Sequence, residues 1–260
     1  MSPNTPLFST VERLIPGLMR RTPAIPFAPP RRSHPLCVVG DIHGRLDLLE
    51  RLLDQIDQRG TCDLLFVGDV LDRGPDSAAA LDRVHGLCRD GRATCLMGNH
   101  ERMCLDALDA PTQAGARWLE AGGDMTLASF GLDCRPARGV APHAWQDRTL
   151  RALRAALPPG QEAWLRTLPL WWQDGPLAVV HAAADPRRPL PKQRPEVLLW
   201  GHRRFTRQLR QDGVWVIHGH TVVDHATAAQ GRIAVDTGAW TSGRLTAAWI
   251  DAEGLTFLEA

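Results

Sequence analysis

The sequence predicts an α/β protein built as a two-sheet α/β sandwich, with a helical insertion or cap in the middle of the chain. Short apolar runs alternate with stretches of helical periodicity from residue 36 to about residue 100. The middle of the chain has a mostly helical pattern, and short strands return in the last third. A chain of 260 residues, 44% of them hydrophobic, can bury one large core, so we expect one domain over residues 36–260.

The first part of the predicted fold is a series of βαβ units. We predict strands at 36–41, 62–70 and 93–100, helices at 45–57 and 76–91, and a further helical stretch from Glu101. The segment RLDLLERLLDQID places its leucines on one face, as an amphipathic helix does. Because strands and helices alternate here, we expect a parallel sheet.

The middle of the chain, roughly 105–175, has the pattern of several helices. It holds Trp118, Trp164, Trp171 and Trp172 at helix-compatible spacings. We interpret these rings as core packing or as a cap over the sheet rather than as a surface that stacks bases. Strands are predicted at 176–183, 213–220, 231–239 and 245–259, the last with the glycine-centred turn of a hairpin. Since no long helix separates these strands in the pattern, we expect antiparallel additions.

Composition limits the classes of partner. Eight of the 20 prolines lie in the first 35 residues, where they block regular structure, so we expect a proline-rich N-terminal arm over 1–35. A net charge of +1 gives no reason to expect nucleic acid or a membrane as partner, and no apolar run approaches a membrane span or a signal peptide. The six cysteines form no C-x-x-C pair and are interpreted as free thiols. We therefore expect a cytoplasmic protein.

Side chains that can bind a metal ion follow five of the predicted strands. They are Asp41 with His43, Asp69, Asn99, His181 and His220. In α/β sheets the ligand site lies at the carboxyl ends of strands, where several loops meet. One histidine at such a position is commonly structural, but the same feature at five strand ends indicates a shared site. Carboxylate, imidazole and amide groups suit divalent ions such as Mn²⁺, Fe²⁺ or Zn²⁺.

Three glycine-bracketed motifs carry a resemblance to a known family. GDIHG (40–44), GDVLDRG (68–74) and GNHE (98–101), with isolated histidines downstream, resemble the calcineurin-like metallophosphoesterases. The segments WLEAGGDMTLASFG, VVHAAAD, LLWGHRRF, HGHTVV and AVDTGA are similar, in the same order, to the phosphoprotein phosphatase branch of that superfamily. Within it, the bacterial and bacteriophage-lambda-type serine/threonine phosphatases are nearest. The resemblance covers about residues 36–260 and implies the metallophosphoesterase fold.

The resemblance implies a centre of two divalent metal ions. The implied ligands are Asp41, His43 and Asp69 for the first ion and Asp69, Asn99, His181 and His220 for the second, with Asp69 as the bridge. Mn²⁺ is the expected metal, and Fe²⁺, Zn²⁺, Ni²⁺ and Co²⁺ are the alternatives. His218 lies two residues before His220 and is interpreted as a supporting or structural residue.

The same resemblance assigns the catalytic side chains. His100 would be the general acid, Asp72 would orient its imidazole, and Arg73 would bind phosphate oxygens. Lambda-type enzymes usually carry a second phosphate-binding arginine after Leu-Leu-Trp. Here His202 stands at that position and Arg203 follows it, so both are candidates for this role.

The implied function is that of a metal-dependent phosphomonoesterase, and more narrowly a serine/threonine protein phosphatase. Metal-bound hydroxide would attack phosphorus in line, without a covalent enzyme intermediate. The substrate would be a phosphorylated protein or a small phosphoester. The first alternative is a symmetrical bis(5'-nucleosyl)-tetraphosphatase, although those enzymes usually have Gly-Asn-His-Asp and lack the acidic residue of LDRG. A non-catalytic scaffold is less favoured because every motif position is filled.

Overall fold

Two mixed five-stranded sheets form the centre of the computed structural model, which describes residues 27–260. The strands are β1 (Leu36–Val39), β2 (Asp63–Phe66), β3 (Ala93–Cys95), β4 (Trp171–Asp174), β5 (Leu177–Val180), β6 (Trp215–His218), β7 (Thr227–Ala229), β8 (Arg232–Ala234), β9 (Thr246–Ile250) and β10 (Leu255–Glu259). Sheet A has the order β10-β9-β1-β2-β3, and sheet B has the order β4-β5-β6-β8-β7. This arrangement is the predicted two-sheet α/β sandwich.

The helices are concentrated between β1 and β4. They are α1 (Leu46–Arg59), α2 (Ser77–Arg89), α3 (Asn99–Asp109), α4 (Pro111–Trp118), α5 (Asp124–Ser129), α6 (Pro142–Ala156), α7 (Gln161–Thr167), α8 (Pro195–Trp200) and α9 (Ala239–Ser242). The segment Leu119–Gly123, which is kinked at Gly122 (φ 114°), joins α4 to α5. Helices α3 to α7 form the predicted helical insertion, which lies in the sequence between β3 of sheet A and β4 of sheet B.

The pleat of β1 shows how the layers are built. Leu36 and Val38 pack into the core between the two sheets, whereas Cys37 and Val39 pack against the helices on the outer face of sheet A. All four residues are fully buried, which explains why this strand reads as a continuous apolar run. On the outer face of sheet B, Leu198 of α8 packs in a smaller core with Val216 of β6.

The strand directions correct one expectation. Antiparallel pairing occurs at the edges, where β9 and β10 extend sheet A and β4 and β7 flank sheet B. In sheet B, however, β5, β6 and β8 run parallel, so the expectation of antiparallel additions throughout was wrong there. The connection from β5 to β6 contains a three-residue 3-10 helix and the six-residue α8, and both are too short to give a helical pattern in the sequence.

Two tryptophans of the insertion also differ from the prediction. Trp171 and Trp172 were expected in a helical stretch, but they begin the edge strand β4. The preceding helix ends at Thr167, and Leu168 is already extended with ψ 127°. Because Pro169 follows, it disfavours a helical conformation at Leu168 and so ends the helix. Trp118, in contrast, is fully buried in the core, as predicted.

Most of the predicted N-terminal arm, residues 1–26, lies outside the described residues. Residues 27–35 form neither helix nor strand but pack on the domain. Phe27 contacts Trp215 edge-on, with 5.6 Å between ring centroids. Arg32 forms ion pairs with Asp63 of sheet A and Asp174 of sheet B. Within residues 27–260, no helix is long and apolar enough to cross a membrane.

Candidate active site

The loops that carry the predicted metal ligands meet at one edge of the sandwich. Asp69 follows β2, and Asn99 opens α3 just after β3. Asp41 follows β1, while His181 and His220 follow β5 and β6 in the other sheet. Each of these five strands runs parallel to a neighbour in its sheet, so their carboxyl ends can converge. The contacts described below join the loops of both sheets into one site.

Five residues of this edge hold a left-handed backbone conformation that side-chain-bearing residues rarely adopt. They are His43 (φ 47°), Asp69 (φ 52°), Asp72 (φ 72°), Arg73 (φ 69°) and His220 (φ 64°). In the described part of the chain, Gln230 is the one other non-glycine residue with positive φ. Such conformations cost about 1–3 kcal/mol each and persist only where the surrounding structure holds them. Their concentration here supports a functional role for this edge.

Asp69 belongs to two groups of possible metal ligands. One group is His43, Asp69 and His100, and the other is Asp69, His181 and His220; within each group the ligand atoms lie within 4.8 Å of one another. Asp69 Oδ2 is 3.6 Å from His43 Nε2 and 3.5 Å from His181 Nε2. A carboxylate shared by two ligand groups is what a bridge between two metal ions requires.

Asn99 joins the second group through its amide oxygen. Its Oδ1 lies 2.7 Å from His181 Nε2 and 2.7 Å from His220 Nδ1. The alternative histidine, His218, is buried on β6 and packs edge-on against Phe205. The structure therefore brings His220, and not His218, into the group of ligand atoms.

Two of the histidines are oriented by backbone carbonyls. His43 Nδ1 donates to Leu71 O at 2.9 Å, and His181 Nδ1 donates to Val67 O at 3.0 Å. Because a carbonyl can only accept, each Nδ1 carries the proton and each Nε2 carries the lone pair, as in histidine metal ligands. Burial lowers the pKa of His43 to about 3 and that of His220 to about 4, and it also lowers the pKa of His181. Neutral imidazoles are the form that binds metal ions.

Asp41 has different neighbours, and they test whether the site fits a cation. It lies outside both three-residue groups, and its carboxylate accepts the His220 N–H at 3.0 Å. Burial, together with the charges of Asp236 and Asp69, raises the pKa of Asp41 well above its usual range, and burial raises the pKa of Asp236 to about 6. Several buried carboxylates in mutual contact are stabilised by a divalent cation. The donor set therefore fits metal ions.

His100 is held by the carboxylate of Asp72. The Nδ1 atom of His100 lies 2.7 Å from Asp72 Oδ2, and both side chains are buried. Asp72 also accepts the indole N–H of Trp118 at 2.9 Å and the hydroxyl of Thr126 at 2.6 Å. Burial alone would lower the pKa of His100, but the carboxylates of Asp69 and Asp72 outweigh it and raise the pKa. The predicted pairing of Asp72 with His100 is thus present in the structure.

Arg73 lies between the two imidazoles of the first ligand group. Its Nη1 is 3.2 Å from His43 Nε2, and its Nη2 is 3.0 Å from His100 Nε2. The backbone N–H of Arg73 donates to Gly122 O at 3.1 Å, which ties this loop to the helical insertion. The guanidinium lies over the ring of Trp240, 5.2 Å from its centroid. A planar cation held in this way can bind phosphate oxygens in two-point contacts.

Glu101 connects the loop of Asp69 to the loop of Asn99. Its carboxylate is fully buried and accepts the backbone N–H groups of Asp69 and Val70, both at 2.8 Å, and of Gly98 at 3.0 Å. Gly98 lies so close to the side chain of Asp69 that a Cβ on Gly98 would be 2.2 Å from Asp69 Oδ1. Burial, followed by the charge of Asp69, raises the pKa of Glu101 to about 7.

The two further phosphate-binding candidates have other surroundings. His202 Nε2 lies 3.9 Å from Asp185 Oδ2, and its Nδ1 accepts the Arg204 N–H at 3.3 Å. With Trp200 it lines a groove of about 530 Å³. Arg203 is exposed, and across residues 27–260 no hydrogen bond links either side chain to the metal-ligand groups. A phosphate-binding role for His202 or Arg203 stays a prediction.

Some residues of the site were not assigned a role there from the sequence. Asp236 follows β8, another parallel strand, so the strand-end argument that found Asp69 could have found it. Trp118 was interpreted as core packing, and both Trp118 and Thr126 lie in a segment that carries the family resemblance, but their contacts with Asp72, more than 40 residues earlier, were not predicted. Trp240 was likewise not singled out.

The family of the chain follows from a direct match. Residues 34–224 match the model of the calcineurin-like phosphoesterase family, and the chain belongs to this family. Its members are metal-dependent phosphoester hydrolases with a dinuclear metal centre, in agreement with the two ligand groups that share Asp69.

Similar proteins fall into more than one class of phosphoesterase. The chain is 38% identical over 122 residues to serine/threonine-protein phosphatase 1 of Salmonella typhimurium, covering 46% of this chain and 49% of that protein. It is 32% identical over 153 residues to a symmetrical bis(5'-nucleosyl)-tetraphosphatase of Aeromonas hydrophila, covering 58% and 45%. The chain therefore spans about half the length of these curated relatives.

A solved structure confirms the fold. The crystal structure of a cold-active protein-tyrosine phosphatase from a psychrophilic Shewanella species superposes with a TM-score of 0.57 at 16% identity, covering 91% of this chain and 82% of that one. At this identity the likeness concerns the fold alone.

Proposed function

We propose that the protein is a metal-dependent serine/threonine protein phosphatase. The observation that carries this proposal is the 2.7 Å hydrogen bond between Asp72 Oδ2 and His100 Nδ1. Asp72 is the acidic residue of LDRG, and a carboxylate that orients an imidazole suits protonation of a serine or threonine alkoxide, which is a poor leaving group. The similarity to a bacterial serine/threonine-protein phosphatase supports the same function.

Six side chains would hold two metal ions in the proposed site. They are Asp41, His43 and Asp69 for one ion and Asp69, Asn99, His181 and His220 for the other. When bound, the ions would lower the pKa of a water molecule and neutralise charge on the phosphoryl group. We propose Mn²⁺ as the metal, although this ligand set also suits Fe²⁺, Zn²⁺, Ni²⁺ and Co²⁺.

His100 would supply the proton to the leaving group. Because its Nδ1–H donates to Asp72, Nε2 is the atom that would carry the transferable proton. In the structure Nε2 accepts an N–H of Arg73 at 3.0 Å and lies 4.0 Å from Asp69 Oδ2, so Nε2 would be protonated once Arg73 has turned to the phosphate. Arg73 would bind the phosphate oxygens and stabilise the negative charge on them.

The alternative function is that of a symmetrical bis(5'-nucleosyl)-tetraphosphatase. The match to the Aeromonas hydrophila enzyme, at 32% identity over 153 residues, favours it, because this alignment covers more of the chain than that to the Salmonella typhimurium phosphatase. Both reactions would use the same metal ligands. The substrate therefore has to be decided by direct comparison.

The experiment compares initial rates on a phosphothreonine peptide and on diadenosine tetraphosphate, both with Mn²⁺. An EDTA-treated sample serves as the control for metal dependence. We expect the peptide to be hydrolysed with the higher kcat/KM. A higher kcat/KM on the dinucleotide would contradict the proposal and support the alternative.

A second experiment tests the role of His100. The variant His100→Asn should lower kcat on the phosphothreonine peptide by about 10²–10⁴-fold, because the alkoxide then leaves without its proton. An aryl phosphate needs no such proton, so its kcat should fall much less. His143→Asn, on the exposed face of α6, is the matched control. Equal losses on both substrates would rule out His100 as the acid.

A further inference from the structure

Trp240 is a half-exposed aromatic residue directly beside the proposed catalytic groups. It lies in the first turn of α9, and 43% of it is accessible to solvent. The guanidinium of Arg73 covers part of the ring, and the same guanidinium contacts the imidazoles of His43 and His100. The side chain of Arg73 therefore contacts both Trp240 and the imidazoles beside the position proposed for the phosphate.

Val222 is a second exposed apolar residue close to α9. It is 51% exposed and comes two residues after the proposed metal ligand His220. A Cβ built on Gly238, just before α9, would lie 3.0 Å from Val222 Cγ1, so Val222 packs against the start of the helix that carries Trp240. We call Val222 and Trp240 the apolar rim.

The apolar rim is unusual for solvent-exposed surface. Four large hydrophobic residues are exposed within residues 27–260. Two of them form the apolar rim, and the others are Trp200 and Phe257. Exposed apolar groups beside a polar cleft commonly bind the apolar part of a ligand. The stacking of Arg73 also restrains the Trp240 ring before any ligand arrives, which reduces the entropy lost on binding.

We propose that the apolar rim binds an apolar side chain next to the phosphorylated residue of the substrate. This inference rests on the proposed phosphatase function and narrows its substrate class to phosphopeptides with a large apolar or aromatic residue beside the phosphoserine or phosphothreonine. With the phosphate held by Arg73, the organic part of the substrate extends away from the metal ligands and passes the rim. An aromatic side chain there removes apolar surface of Trp240 from water.

A purely supporting role for Trp240 gives a different result. If Trp240 only held Arg73 in place, its removal would lower kcat/KM for every phosphate ester by the same factor. If Trp240 contacts the peptide, its removal lowers kcat/KM selectively for peptides with a large apolar neighbour. The ratio of kcat/KM for two peptides therefore separates the two roles.

The test uses two phosphothreonine peptides of equal length and charge, one with Phe and one with Gly on both sides of the phosphothreonine. We expect the wild-type protein to prefer the Phe peptide by about threefold to tenfold in kcat/KM, the size of one aromatic contact. In Trp240→Ala the ratio of kcat/KM for the Phe peptide to kcat/KM for the Gly peptide should fall to about 1, and in Val222→Ser this ratio should be reduced. Trp240→Phe keeps an aromatic ring and should retain most of the preference.

Trp200→Ala is the matched control. Trp200 is 39% exposed and is also stacked by an arginine, Arg117, at 4.9 Å. This variant should keep the wild-type preference. An equal loss on both peptides in Trp240→Ala, or no preference in the wild type, would overturn the inference while leaving the proposed function intact. A wild-type protein that hydrolyses neither peptide would overturn both.

Discussion

Asp72 and Glu101 are two buried carboxylates on either side of His100, and their hydrogen-bond donors differ in kind. Asp72 accepts from side chains, namely the imidazole of His100, the indole of Trp118 and the hydroxyl of Thr126. Glu101 accepts from backbone N–H groups of the loops that follow β2 and β3. Both side chains are inaccessible to solvent.

This difference separates two tasks in the same site. Asp72, held by its donors, fixes the orientation of one imidazole, so we propose that it acts on the chemistry of His100. The donors of Glu101 fix the path of the backbone that carries Asp69 and Asn99, so we propose that Glu101 acts on the placement of these proposed metal ligands. We therefore expect changes at Asp72 to affect kcat and changes at Glu101 to affect metal affinity.

The largest effect is expected at Asp72. Asp72→Asn should lower kcat on a phosphothreonine peptide by about 100-fold or more, because the amide no longer stabilises the protonated imidazole of His100. The Mn²⁺ concentration for half-maximal activity should stay within about threefold of wild type, as expected for a residue that binds no metal. The neighbouring Asp76→Asn, at an exposed aspartate, is the control. A shift of the Mn²⁺ midpoint with kcat retained would reverse the assignment.

Glu101→Gln should have the complementary effect. Gln has only one oxygen, so its NH₂ group would face at least one of the three backbone N–H donors that the carboxylate now accepts. We expect the Mn²⁺ affinity to fall by about 10–100-fold, while kcat at saturating Mn²⁺ falls by less than about threefold. Activity measured against Mn²⁺ concentration gives both values, with Glu253→Gln as an exposed control. A fall in kcat as large as that of Asp72→Asn would remove the distinction between the two carboxylates.

A smaller effect is expected from one of the donors to Asp72. Trp118→Phe removes the indole N–H but keeps a buried ring, and it should lower kcat by about tenfold or less, the loss of one hydrogen bond to a carboxylate. Trp145→Phe is a close control, because Trp145 is also buried and its N–H has no partner among residues 27–260. Equal effects of the two variants on kcat would mean that the Trp118 N–H does not support Asp72.

The sequence predicted site residues at strand ends, but not those that reach the site through packing of the helical insertion. Asp69 and Asn99 follow apolar strands, and parallel strands bring their carboxyl ends to one edge, so the strand-end argument brought these residues together correctly. Trp118 and Thr126 reach Asp72 only through the packing of the helical insertion. The segment WLEAGGDMTLASFG, which holds both residues, was singled out for its resemblance to the family, but no local spacing indicates that these two side chains contact Asp72.

The fold was likewise predictable only where the sequence has a clear local pattern. The βαβ units were predictable because α1 and α2 are long enough to show their apolar face. The parallel pairing of β5 and β6 was not, since the longest helix between them is the short α8. The strand assigned to Trp171 depends on Pro169, whose effect on the preceding residue outweighed the helical spacing of the tryptophans.

We propose that the strand-end side chains form one dinuclear metal site with Asp69 as its shared ligand. The direct test is the number of metal ions per chain after loading with Mn²⁺ and removal of the excess, for wild type, His220→Ala and Asp69→Asn. We expect two ions in the wild type, one in His220→Ala and fewer than one in Asp69→Asn, because Asp69 belongs to both ligand groups. Two ions retained by Asp69→Asn would contradict a shared role for Asp69.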